Sequence, residues 1–109
     1  MEEFIKGDVV VIPFPFSDLS QTKRRPAMVI SSVNSDIILC QITSKNIKDE
    51  YSIYIDNDNF VSGNLNQQSN IRPNRIFTAD KNLIIYKIDH LNQKAISTVI
   101  DKIIDIIRQ

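Results

Sequence analysis

The chain has 109 residues, balances 13 acidic against 13 basic side chains and is 42% hydrophobic and 24% charged, the profile of one folded domain (1–109) and not of a disordered tail. A single cysteine, Cys40, excludes an internal disulfide framework, and a lone histidine, His90, leaves no Cys/His cluster for zinc. The longest apolar runs are four or five residues and the start MEEFIKGD has neither the basic start nor the apolar core of a secretory leader, so a cytoplasmic address is expected.

Residues 7–16, GDVVVIPFPF, read as a first strand, rich in β-branched and aromatic residues and opened by a Gly7-Asp8 turn. Pro13 and Pro15 lie two apart and remove donors from one side, which places the strand's end at an open edge. Residues 17–25 then read as a polar loop without glycine. The second strand is expected over 26–33, with Pro26 biasing Arg25 toward extended backbone. Turn residues Asn34, Ser35 and Asp36 lead into a third strand over 37–43, making a hairpin in which Ile38, Cys40 and Ile42 face one way and Leu39, Gln41 and Thr43 the other.

A further strand is expected over 51–56, a turn-rich excursion after it, short strands at 69–72 and 75–78, and another at 83–88. That makes six or seven short strands. At the C-terminus the period changes. Asn92 caps a helix whose inner face is Ile96, Val99, Ile100, Ile103, Ile104 and Ile107, with Leu91 and Ile96 placed as a hydrophobic staple and Asp101, Lys102, Asp105 and Arg108 opposite. The fold class is mainly β with a C-terminal helix, a small barrel or half-barrel.

Charge distribution is more telling than net charge. The segments 21–25, 43–48 and 69–75 carry Lys23, Arg24, Arg25, Lys45, Lys48, Arg72 and Arg75 and no acid, so a fold that unites them creates a basic surface on a neutral protein.

The GD-opened first strand, the Arg-Pro of RPAMVIS, the QITS strand end and the later NIRPNRIFTAD segment, in this order and spacing, resemble the PemK/MazF family of toxin endoribonucleases over nearly the whole chain. The resemblance implies an SH3-like barrel with a C-terminal helix and a homodimer with active grooves near its interface. It also implies metal-independent, sequence-selective cleavage of single-stranded RNA as an mRNA interferase, no cofactor, and a cognate antitoxin that occupies the same groove.

Cleavage by the substrate's own 2′-hydroxyl needs a proton acceptor, a proton donor to the leaving 5′-oxygen, and fixed cations for the phosphoryl charge. Arg25 matches the family's catalytic arginine before the proline, and its planar guanidinium can hold two phosphate oxygens. Thr43 matches the strand-end threonine that bonds the scissile phosphate, with Ser44 as a nearby donor. Arg72 matches a second arginine, here read as a charge stabiliser because a guanidinium is a poor acid. Lys23, Arg24, Lys45 and Arg75 are read as phosphate-attracting groups. Asn74 stands where some relatives carry an aspartate assigned as general base, and an amide takes up no proton at neutral pH. The loop before Arg25 also lacks the glycines and the histidine of some members.

Gln67, Gln68 and Asn70 are polar enough to read base edges, and Phe14 or Phe16 to stack a base, against plainer roles in solvation and packing. Cys40 reads as a core thiol and His90 as structural. Two other functions compete: a toxin of the same barrel acting on DNA gyrase, disfavoured because that group relies on a C-terminal tryptophan and this chain has none, and an inactive RNA-binding barrel, suggested by Asn74.

Overall fold

The computed structural model describes residues 3–14, 23–46, 49–63 and 68–109. Among the described residues, six strands, β1 (Asp8–Phe14), β2 (Lys23–Val33), β3 (Asp36–Thr43), β4 (Ile53–Ile55), β5 (Ser69–Asp80) and β6 (Tyr86–His90), precede one α-helix, α1 (Gln93–Ile107). They form a single antiparallel sheet in the order β4-β5-β3-β2-β1-β6, curled into a half-barrel.

Strand alternation sorts the apolar residues into two cores. Val9, Met28, Cys40, Ile42 and Ile71 point to one face, where Ala95, Ile96, Val99 and Ile103 of α1 cover them. Val10, Ile12, Phe14, Ala27, Val29, Ile37 and Leu39 point to the other, joined by Phe4, Phe77, Ala79 and Ile84. Phe14 and Phe77 meet edge to face at 4.8 Å between centroids. The split in β3 follows the alternation expected from its sequence.

The Gly-Asp opening has a physical cause. Gly7 sits at φ +96°, where a Cβ would run into Ile96 and lie 3.0 Å from His90 Cε1. Beside it the Asp8 carboxylate, 1% exposed, accepts from the Ile5 N–H at 2.9 Å and meets His90 Nδ1 at 2.8 Å and Lys87 Nζ at 3.8 Å. His90 is thus structural, tying β6 to the start of β1. Asn34 at φ 58° makes the tight turn between β2 and β3, with Val33 and Asp36 as the closing pair. Beyond Val11, β1 has lost β6 and pairs with β2 alone, so the open edge expected near Pro13 is present; Pro15 lies outside the described residues.

Several expected boundaries move. β2 begins at Lys23, not Pro26, because apolar β1 extends far enough to pair Phe14 with Lys23, Pro13 with Arg24 and Ile12 with Arg25. The two short strands expected on either side of Pro73 are one strand, β5: Arg72 pairs with Gln41 and Ile76 with Cys40, and Pro73, Asn74 and Arg75 bulge out between them. β4 shrinks to residues 53–55, and β6 starts only at Tyr86 because Lys81–Leu83 forms a 3-10 turn capped by Asp80. Asn92 caps α1 through the Ala95 N–H at 2.9 Å as expected, but the buried stripe is narrower. Ile104 and Ile107 are exposed, at 42% and 71%.

Candidate active site

Antiparallel register assembles the site from strands far apart in sequence. One row across the sheet runs Val10–Ala27–Gln41–Arg72. The adjacent row holds Ile12 paired with Arg25, and Thr43 paired with Asn70, which pairs in turn with Tyr54. Arg25 lies two residues before Ala27 and Thr43 two after Gln41, so in an antiparallel pair both step to the same side of that row and stay on its face. Arg25, Gln41, Thr43, Asn70 and Arg72 therefore share one sheet face. Lys23 lies on it as well, and alternation turns Arg24 to the opposite face.

This corner is where the second core ends and polar residues begin. Ile12, Ala27 and Leu39, all buried, form its apolar floor, and Arg25 is half-buried beside them. A cation held against such a floor acts more strongly on a bound anion than one in bulk water. Thr43 is 5% exposed, and its Oγ1 accepts from the Lys45 N–H at 3.2 Å, which fixes the side chain while leaving its own proton to donate. The Asn70 side-chain amide donates to the Lys45 carbonyl at 3.1 Å, anchoring the chain after β3 to β5. Ser44 and Lys45 are exposed on that segment, Asn74 and Arg75 are exposed on the β5 bulge, and Lys23 and Arg24 are exposed at the start of β2. The structure thus brings Arg25, Thr43 and Arg72 to one corner and sets Lys23, Ser44, Lys45, Asn74 and Arg75 around its rim, whereas Arg24, expected with them, faces the other side of the sheet.

Arg72 carries a feature that its sequence segment did not announce. Its Nη2 donates to Asp49 Oδ2 at 3.0 Å, from an acid one residue beyond the acid-free stretch 43–48. The other Asp49 oxygen accepts from the N–H groups of Ser52 at 2.8 Å and Tyr51 at 3.0 Å. The bond from Ser52 foremost, with those of Tyr51 and Arg72, holds the Asp49 carboxyl below its usual range. Among the described residues, two buried side-chain polar atoms have no hydrogen-bond partner, Gln41 Oε1 and Arg72 Nε, and they belong to paired residues of this site.

Gln41 was legible as a residue on the Thr43 face and as the first residue of QITS, but it was not singled out as a site residue; its signal was a polar side chain at an inward strand position within that motif. Tyr54, exposed and one row partner from Asn70, is the aromatic nearest the site in register, whereas Phe14 is buried in packing. Phe16, Lys48 and Gln67 lie outside the described residues. Burial pushes the Cys40 thiol up to about 12, the behaviour of a core thiol. Among the described residues, no three His, Cys, Asp or Glu side chains group as metal ligands would, and no helix is long and apolar enough to cross a membrane.

Comparison with known proteins follows from this geometry. The family profile described as the PemK-like, MazF-like toxin of type II toxin-antitoxin systems matches residues 5–107. Similar solved structures include MazF from Deinococcus radiodurans, at 18% identity and TM-score 0.77 over 100% of both chains. An endoribonuclease in complex with its cognate antitoxin, from a mycobacterial species, aligns at 10% identity and TM-score 0.72 over 94% of this chain and 93% of that one. The Mycobacterium tuberculosis toxin MazF-mt6 aligns at 14% identity and TM-score 0.71 over 90% and 93%. No curated protein matches the chain in sequence.

Proposed function

This chain belongs to the PemK-like, MazF-like toxins of type II toxin-antitoxin systems, and we propose that it acts as a metal-independent endoribonuclease, cutting single-stranded RNA at short sequences through attack of a 2′-hydroxyl on the adjacent phosphate. The observation that carries this reading is the convergence of Arg25, Thr43 and Arg72, from three separated strands, on one polar corner of an otherwise apolar sheet face. Convergent cations and a hydroxyl donor at the edge of a low-dielectric floor suit a transferring phosphoryl group, whose charge rises in the transition state.

In this mechanism the 2′-oxygen forms a bond to phosphorus and gives its proton to solvent water as the bond to the 5′-oxygen breaks and that oxygen takes a proton from water, leaving a cyclic phosphate and a 5′-hydroxyl. Arg25 holds two non-bridging oxygens with its planar fork. Thr43 donates a hydrogen bond from its hydroxyl to a phosphate oxygen, and Arg72 adds positive charge on the neighbouring row. Asn74, on the bulge, orients the attacking hydroxyl without taking its proton. Lys23, Ser44, Lys45 and Arg75 hold flanking phosphates, a role that needs exposure more than exact placement, and Arg24, turned to the opposite face, drops out of that set.

The partners proposed with this activity are a cognate antitoxin that covers the corner and a second copy of the chain, in the cytoplasm. Leu83, Ile85 and Tyr86, exposed beside the edge strand β6, give a homodimer an apolar surface to bury. The test is cleavage of single-stranded RNA by purified protein in EDTA. Wild type cuts at reproducible sites, and Arg25→Ala is slower by on the order of a hundredfold or more, the loss typical of a group that stabilises developing charge. Undiminished cutting by Arg25→Ala removes that residue from the mechanism.

A further inference from the structure

We propose that Asp49 is a built-in competitor for RNA phosphate at Arg72, holding that arginine in a resting contact which the substrate must displace; this rests on the endoribonuclease reading given above. Arg72 presents a side-on fork of two parallel donors, Nε–H and one Nη–H, whose spacing fits two oxygens of one phosphate or carboxylate. Asp49 uses one prong. Its Oδ2 takes Nη2 at 3.0 Å, its Oδ1 is committed to the N–H groups of Tyr51 and Ser52, and Nε is left buried without an acceptor.

A one-point contact where a two-point contact is possible is the mark of a ligand that can be replaced. A buried donor without a partner raises the free energy of the state that contains it, and the paired Gln41 Oε1 adds an acceptor in the same condition. Once Asp49 has moved aside, a phosphate in its place can bring two oxygens to the fork and satisfy Nε as well as Nη2. Asp49 is better placed to leave than to stay: it is 32% exposed, while the Arg72 side chain is 15% exposed and fixed in β5. Its lowered pKa keeps it ionised at neutral pH and makes it a weak proton acceptor, so competition suits it better than general-base work. An ionised carboxylate there also repels the incoming phosphate until it moves, which sets the affinity of the site.

Asp49→Asn isolates the charge, because an asparagine Oδ1 can still accept from the Tyr51 and Ser52 N–H groups and keep the turn. Asp49→Ser is the second variant, with a hydroxyl that can serve the same turn. Binding is measured with a single-stranded DNA oligonucleotide, which carries the phosphates but no 2′-hydroxyl to be cut, in wild type, Asp49→Asn, Asp49→Ser, Arg72→Ala and the Asp49→Asn/Arg72→Ala double variant. The expected result is about fivefold tighter binding on loss of the Asp49 charge, the upper range of an exposed ion pair, and no gain when Arg72 is also absent. Unchanged or weaker binding by both single Asp49 variants overturns the proposal, since Asp49 then positions Arg72. A gain that survives in the double variant overturns it too, because the effect is then one of general charge. Absence of RNA cleavage by the wild type, with the oligonucleotide result as expected, refutes the nuclease reading and leaves the competition intact.

Discussion

Replacing Gln41 by leucine tests whether the site is maintained at a cost to the fold. Gln41 Oε1 is buried without a hydrogen-bond donor, in the row between Ala27 and Arg72. Leaving an acceptor in that condition costs about 1–3 kcal/mol, most of which leucine removes, and a leucine there continues the apolar strip of Ala27 and Leu39. Part of the gain is offset because Gln41 is only half-buried as a whole residue and Arg72 Nε stays unpaired. The net expectation is stabilisation by about 1 kcal/mol, or a Tm higher by about 4 °C for a chain of this size. Urea unfolding at a fixed protomer concentration is the assay: the midpoint rises and the slope is unchanged. The same variant cuts RNA about tenfold more slowly, because a group facing the substrate is gone. A fall in stability shows that Oε1 serves the native fold, and full cleavage activity shows that Gln41 lies outside the chemistry; either refutes the reasoning.

Gly7→Ala combines a left-handed backbone with a methyl group driven into Ile96, and is expected to cost about 3 kcal/mol by denaturant unfolding; a loss under about 1 kcal/mol shows that the turn relaxes freely. Cys40 in the native protein is expected to resist a thiol reagent at pH 8 and to react fully in urea, which a spectrophotometric thiol titration reads directly. Because its folded pKa of about 12 lies above the ordinary value of 9.0, the stability it lends is complete below pH 9 and is lost as pH rises through about 12. Prompt labelling of the native protein at pH 8 contradicts that burial.

The parts of the fold that the sequence made legible are those where one local rule acts alone. Alternation in β3, the Asn34 turn, the Asn92 cap and the switch to helical period all depend on near neighbours in the chain. Boundaries went astray where a partner strand decides. Lys23, Arg24 and Arg25 look like a loop end until β1 is seen to reach Phe14 and pair with them, and the Pro73 interruption looks like the end of a strand until β3 is seen to continue on both sides of the bulge. Likewise Ile104 and Ile107 obey the helical period but stay exposed, because the period sets which face they share and not how far that face is covered.

The site divides in the same way. Arg25, Thr43 and Arg72 stand out because of the motifs they belong to, and the register brings them together. Gln41, although it opens QITS, and Asp49 do not, because their significance lies in who faces them. A glutamine inside a strand and an aspartate in an exposed turn are ordinary until the pairing of β3 with β5 sets both against Arg72. The basic surface inferred from three acid-free segments is therefore less positive than its composition implied, because the Asp49 carboxylate pairs with Arg72.

Mapping the ends of RNA cut by purified protein in EDTA tests the central claim most directly. Attack by the 2′-hydroxyl at the Arg25 corner predicts reproducible cut sites with a cyclic phosphate on one fragment and a 5′-hydroxyl on the other, both lost in Arg25→Ala. Fragments bearing 5′-phosphates, or RNA left whole under conditions where the protein is folded, contradict it.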